Sequence, residues 1–120
     1  MSIRFYAGAW QKYQPATSSG RPFNLVLTSE TIYRQESTAS LLAVLKAASK
    51  SSVEGPDLDS ILPRLSIRAP LVLVAAKSMY FGVGGNVDDF RRAAKDVGAM
   101  VTDVWELPTG VRRVILELTW

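Results

Sequence analysis

Glu30 and Tyr33 stand in the run Glu30-Thr31-Ile32-Tyr33, directly behind the apolar stretch Phe23–Thr28. Lys77 to Tyr80 occupies the matching place behind a second apolar stretch, Leu71–Ala76. If both stretches are strands of an open α/β sheet, both groups lie beyond strand carboxyl ends, where such sheets hold ligands. A carboxylate, an ammonium and phenols gathered there can accept, donate and orient protons. The plainer alternative is a helix-start carboxylate and a half-buried tyrosine. Trp10 follows a short β-prone run and Gly8, and it could offer a flat face to a base or serve as core.

Composition narrows the chemistry. The 120 residues contain no cysteine and no histidine, so a thiol nucleophile, a disulfide, a Ser–His–Asp triad and a histidine general base are all excluded. A metal site would need carboxylates alone, which argues against metal catalysis. The net charge is +3, with 14 scattered basic residues and Arg91–Arg92 and Arg112–Arg113 as the adjacent pairs. That lacks the stripe expected of a nucleic-acid binder. The longest apolar run, Ala69–Ala76, is too short to span a membrane, and the N-terminus does not read as a signal peptide. The expectation is one domain over 1–120, with a cytoplasmic or nuclear location.

Sequence pattern assigns the elements that would position these residues. Ile3–Tyr6 reads as a short strand and Phe23–Thr28 as a buried one. A helix begins at Ser37 or Thr38 with the stripe Leu41, Leu42 and Leu45. Residues 51–70, with Pro56, Pro63 and Pro70, read as a surface excursion. Leu71–Ala76 suits a strand buried on both faces. After the loop Phe81-Gly82-Val83-Gly84-Gly85, Asn86 is an N-cap and Gly98 a helix stop. The glycine spacing fits neither a dinucleotide fingerprint nor a P-loop, so a tight turn is the simpler reading. Ala99–Leu107 and Val111–Trp120, joined through Pro108-Thr109-Gly110, form an antiparallel hairpin in which Trp105 and Trp120 are packing residues. The sum is an α/β sheet, parallel except for its final strand.

Several of these segments together resemble a known family. Phe23-Asn24-Leu25-Val26-Leu27-Thr28-Ser29-Glu30-Thr31-Ile32-Tyr33 resembles the signature behind strand four of the protein-histidine N-methyltransferases, close relatives of the seven-β-strand lysine methyltransferases of family 16. Ala75 to Gly85 resembles their strand-five loop, Arg4 to Trp10 their strand three and its loop, and Val111 to Trp120 their last strand. The resemblance implies a partial Rossmann-like fold: strands 3 to 7 of the order 3-2-1-4-5-7-6, mostly parallel with an antiparallel last strand. Strands 1 and 2, the glycine-rich loop and the ribose-binding acid have no counterpart, so the chain is expected to be a C-terminal half.

The family uses S-adenosylmethionine to methylate a protein substrate. By resemblance, Glu30 and Tyr33 are the catalytic candidates, Trp10 and Ser29 the cofactor-side ones. Lys77, Tyr80, Gly82, Gly84 and Gly85 shape the substrate rim. Glu30 would accept the N–H of a substrate imidazole and leave the other nitrogen as nucleophile. The expected cofactor affinity of the chain alone is weak or nil. The exposed edge of the strand-four segment implies a second chain or self-association. Two readings compete with an enzyme half: an inactive methyltransferase remnant that binds a protein partner, and a small nucleotide-binding module.

Overall fold

The computed structural model describes residues 3, 5–13, 23–49, 70–82 and 84–120. The expected excursion at 51–70 lies outside them except for Pro70. Among the described residues, four strands and two helices follow in the order β1 (Leu25–Ser29), α1 (Thr38–Ser49), β2 (Leu71–Lys77), α2 (Val87–Asp96), β3 (Met100–Leu107) and β4 (Arg113–Thr119). Short 3₁₀ turns occupy Trp10–Lys12 and Gln35–Ser37.

The strands form one sheet in the order β1-β2-β4-β3. β1 pairs with β2 in parallel, whereas both ladders of β4, to β2 and to β3, are antiparallel. The sheet is therefore mixed rather than mostly parallel. The reason is the place of the last strand: reversed in direction and inserted between β2 and β3, it makes two ladders antiparallel although β1, β2 and β3 all run the same way.

Both helices cover one face. Val72, Val74 and Ala76 of β2 and Val114, Leu116 and Leu118 of β4 are buried against Leu41, Leu42 and Leu45 of α1 and Phe90 and Ala94 of α2. The alternation Val114, Leu116, Leu118 is the period-two pattern of a strand covered on one side. On the opposite face β2 is only half-buried among the described residues, so the expectation of a strand buried on both faces is corrected. A β-bulge places Asp103 opposite Leu116 but Trp105 opposite Ile115. That one-residue insertion turns Trp105 to the uncovered face, where it is 49% exposed rather than a packing residue.

The expected strand at Ile3–Tyr6 is also corrected: Ile3, Phe5 and Tyr6 belong to no strand. An isolated strand has no ladder to satisfy its backbone. This stretch folds on itself, with the Tyr6 and Tyr13 rings 4.8 Å apart and the Tyr6 hydroxyl donating to Ala9 O at 3.4 Å.

Helix boundaries follow local chemistry. Asn86 Oδ1 accepts from the backbone N–H of Asp89 at 2.7 Å and caps α2. Gly98, at φ +86°, ends the helix as expected of a left-handed stop. At α1 the hydroxyls of Ser37 and Thr38 donate back to Arg34 O, at 3.1 and 3.4 Å, and lead in from the 3₁₀ turn.

Candidate functional site

The ends of three strands meet at Glu30. Its backbone N–H donates to Ala75 O at 2.9 Å, closing the β1–β2 ladder. The chain then turns sharply: Glu30 has φ +58°, among the described residues the non-glycine in the left-handed region. The Oγ1 atoms of Thr28 and Thr31, 2.7 Å apart, bridge this turn. A glutamate held there costs on the order of 1–2 kcal/mol, and such strain concentrates at functional sites.

Among the described residues two cations reach the Glu30 carboxylate. Lys77 Nζ, at the end of β2, lies 3.8 Å from Oε2, and Arg113 Nη1, at the start of β4, lies 3.4 Å from Oε1. Lys77 and Arg113 are register partners across the antiparallel ladder, which explains why they act on one group. The Tyr80 hydroxyl accepts from the Lys77 backbone N–H at 3.1 Å, and Lys77 Nζ lies 5.9 Å from the Tyr80 ring centroid. Burial pushes the Tyr80 phenol above its ordinary range; the Lys77 N–H opposes this and the Glu30 carboxylate adds to it. Tyr80 is therefore a neutral phenol at physiological pH.

The glycine loop is zipped to the turn behind β1. Tyr80 N–H donates to Gly85 O at 2.9 Å, Gly85 N–H to Tyr33 O at 3.2 Å and Val87 N–H to Ser78 O at 3.1 Å. Arg34 bridges Gly84 across the same junction. Gly82 and Gly84 supply φ near +83° and +82°. Gly85 supplies space: a Cβ there would lie 2.3 Å from Ile32 O and 2.5 Å from Tyr33 O. The loop is thus a tight turn with one close backbone approach. Its helix start carries Asp88 and Asp89, a poor setting for a phosphate. The zipping sets the Tyr33 and Tyr80 rings 6.5 Å apart and tilted by 59°, with the Arg34 guanidinium 5.6 Å from the Tyr33 centroid.

Of the sequence-derived candidates, Glu30, Tyr33, Lys77, Tyr80 and Gly85 are brought together, with Gly82 and Gly84 in the adjoining turn. Trp10 is placed elsewhere, in a groove of about 280 Å³ between its 3₁₀ turn and β1, shared with Tyr13, Phe23, Leu25, Leu27 and Val44. Ser29 ends β1 on the exposed side of the strand, in register with Ala75. Arg113 is the member that sequence reasoning missed. Its signal was the hairpin itself, which fixes the residue opposite Lys77 once strand order is known. Among the described residues no group of three or more Asp or Glu side chains could hold a metal ion.

No family model matches the chain. Curated relatives do. The histidine protein methyltransferase 1 homolog of Rattus norvegicus is 31% identical over 98% of this chain and 29% of its own length. The proteins of the same name from Mus musculus and Bos taurus are 29% and 27% identical over 98% of the chain, which covers 29% and 28% of them. The chain thus spans less than a third of the relatives it matches, as a resemblance to part of an enzyme requires. The likeness first read from the motifs behind β1 and β2 is borne out by these proteins: the chain is related to the histidine protein methyltransferases over a part of their length.

Proposed function

We propose that this chain forms the substrate-facing part of a protein-histidine N-methyltransferase that uses S-adenosylmethionine. β1, β2, β3 and β4 correspond in this reading to strands 4, 5, 6 and 7 of the seven-strand fold, a reading supported by the order β1-β2-β4-β3. The observation that carries the proposal is the strained Glu30 at the convergence of three strand ends, in a chain related to enzymes named for protein histidine methylation.

The described residues do not fit the whole cofactor. The groove at Trp10 suits a flat base, but its lining, from Trp10 and Tyr13 through Leu25 and Leu27 to Leu41 and Ala48, offers no carboxylate for a ribose diol or a methionine ammonium. The protein's own part is orientation. Glu30 accepts the imidazole N–H, which fixes the tautomer and leaves the other ring nitrogen with its lone pair outward. Imidazole is largely neutral near pH 7 and needs no strong base. Tyr33 and Tyr80 flank the ring, and Lys77, Tyr80, Gly82, Gly84 and Gly85 form the rim.

The test is methyl transfer to protein histidine, read by mass spectrometry of the modified residue. It is run with the 120-residue chain alone and with the chain complemented by the remaining stretch of a relative. Transfer to histidine in the complemented mixture, with weak or no cofactor binding by the chain alone in calorimetry, is the expected result. Transfer to lysine, or to nothing, overturns the proposal. The second reading, a remnant that binds a protein partner, draws on the exposed edge of β1. It gains if the complemented mixture binds cofactor without transferring methyl.

A further inference from the structure

Resting on the reading above, we propose that Lys77 and Arg113 determine specificity at this site by admitting a neutral imidazole and repelling an ammonium side chain such as lysine.

The cations do not saturate Glu30. Charge-assisted N–H···O bonds run at about 2.7–2.9 Å, whereas Lys77 and Arg113 stand off at 3.8 and 3.4 Å. A carboxylate has about four acceptor positions; with Lys77, Arg113 and the Tyr80 phenol directed at it among the described residues, Glu30 keeps room for one more donor. A donor that reaches the carboxylate comes into the field of both cations, since one stands at each oxygen. An ammonium gains one negative charge and meets two positive ones, an unfavourable balance at these separations. A neutral N–H pays no such cost and makes the same hydrogen bond.

The aromatic walls point the same way. Paired tyrosines beside a carboxylate would suit an onium ion, but here protein cations already hold both rings. Lys77 Nζ is 5.9 Å from the Tyr80 centroid and the Arg34 guanidinium 5.6 Å from that of Tyr33. Glu36, 3.9 Å from Arg34, offsets that charge from the exposed side. The neighbouring Arg112 and Glu106 pair with each other and add no net charge. Glu30, Lys77, Arg113, Tyr80, Tyr33, Arg34 and Glu36 are the titratable groups that β1, β2, β4 and the two zipped loops turn to this place among the described residues.

The experiment is an NMR titration of the ¹⁵N-labelled chain, followed at the backbone amides of Glu30, Tyr80 and Gly85. The probes are imidazole and n-butylammonium at pH 8, and imidazole again at pH 5.5, where it is mostly imidazolium. Imidazole at pH 8 should shift these amides, with butylammonium and imidazolium roughly tenfold or more weaker. Lys77→Gln combined with Arg113→Gln should narrow that gap to about twofold. Butylammonium binding as well as imidazole, no shift with imidazole at pH 8, or full selectivity retained in a folded double variant would each overturn the proposal. The first two outcomes need no variant. The titration involves no methyl transfer, so it can fail while the transfer assay succeeds, and the reverse.

Discussion

At the scale of single residues the site rests on two backbone peculiarities that side-chain chemistry does not advertise. Glu30 sits at φ +58°, where any residue with a Cβ is strained and glycine is not. Glu30→Ala and Glu30→Gly both remove the carboxylate, yet the Gly variant should be the more stable by about 1 kcal/mol in urea unfolding. Equal stability would show that the turn relaxes without cost. In the complemented enzyme both should lower methyl transfer by a factor of about 100 or more while leaving cofactor affinity nearly unchanged. Gly85 is the second peculiarity. Its would-be Cβ meets backbone rather than a movable side chain, 2.3 Å from Ile32 O. Gly85→Ala should therefore part the two loops at a cost of roughly 2 kcal/mol or more, seen as a fall in thermal midpoint and lost hydrogen-exchange protection of the residue 85 amide. Much of the site was legible because Glu30 and Lys77 stand just behind apolar runs, with Tyr80 three residues beyond Lys77. Arg113 was not, because its neighbourhood depends on which strand lies beside β2, and that is a property of the sheet. The left-handed turn was invisible too, since glutamate is no signal for it.

At the scale of elements, the parts with local punctuation were readable and those defined by partners were not. Asn86 and Gly98 bracket α2, and Val114, Leu116 and Leu118 mark the covered face of β4. The segment Ile3–Tyr6 has strand-like residues, but strand formation needs a neighbour. Trp105 has a packing residue's chemistry, but the bulge after Asp103 turns it outward. The same bulge leaves Asp103 on the helix side, where Arg91 of α2 grips its carboxylate through two hydrogen bonds, one of 2.7 Å. This fork ties α2 to β3, and it holds the Asp103 carboxyl below its ordinary value, chiefly through the Arg91 hydrogen bonds. A carboxyl whose value is depressed on folding adds stability above its unfolded value of about 3.9. That stability disappears as pH falls through the lower folded value. Thermal midpoints measured from pH 5 down to 2 should therefore drop more steeply for the wild type than for Asp103→Asn. Because Asp103 is partly exposed, the difference should shrink in high salt. Parallel slopes for the two proteins would make the fork a surface ornament.

At the scale of the whole molecule, the described sheet ends in β1 on one side and β3 on the other. β1 is an end strand of the order β1-β2-β4-β3. Asn24 O accepts from Leu71 N–H at 3.0 Å and Glu30 N–H donates to Ala75 O at 2.9 Å, so alternate residues from Asn24 to Glu30 turn their backbone groups toward β2. Leu25, Leu27 and Ser29 turn theirs the other way, and among the described residues no strand meets them. The side chains of Leu25 and Leu27 are exposed as well, Leu27 by 65%. Natural edges are blunted by lysine, proline or a bulge, and β1 carries none of these within Leu25–Ser29. A strand docked from the Ile3 region would have covered this edge, but Ile3, Phe5 and Tyr6 form none. The purified chain should therefore self-associate, with a light-scattering mass that rises with concentration. Leu27→Lys places a charge on the edge without touching the buried face, so it should shift the population toward monomer and raise solubility. A wild type that stays a monodisperse monomer at every concentration, with a sharp and high thermal transition, would show that the edge is already satisfied and would remove the ground for a second chain at β1.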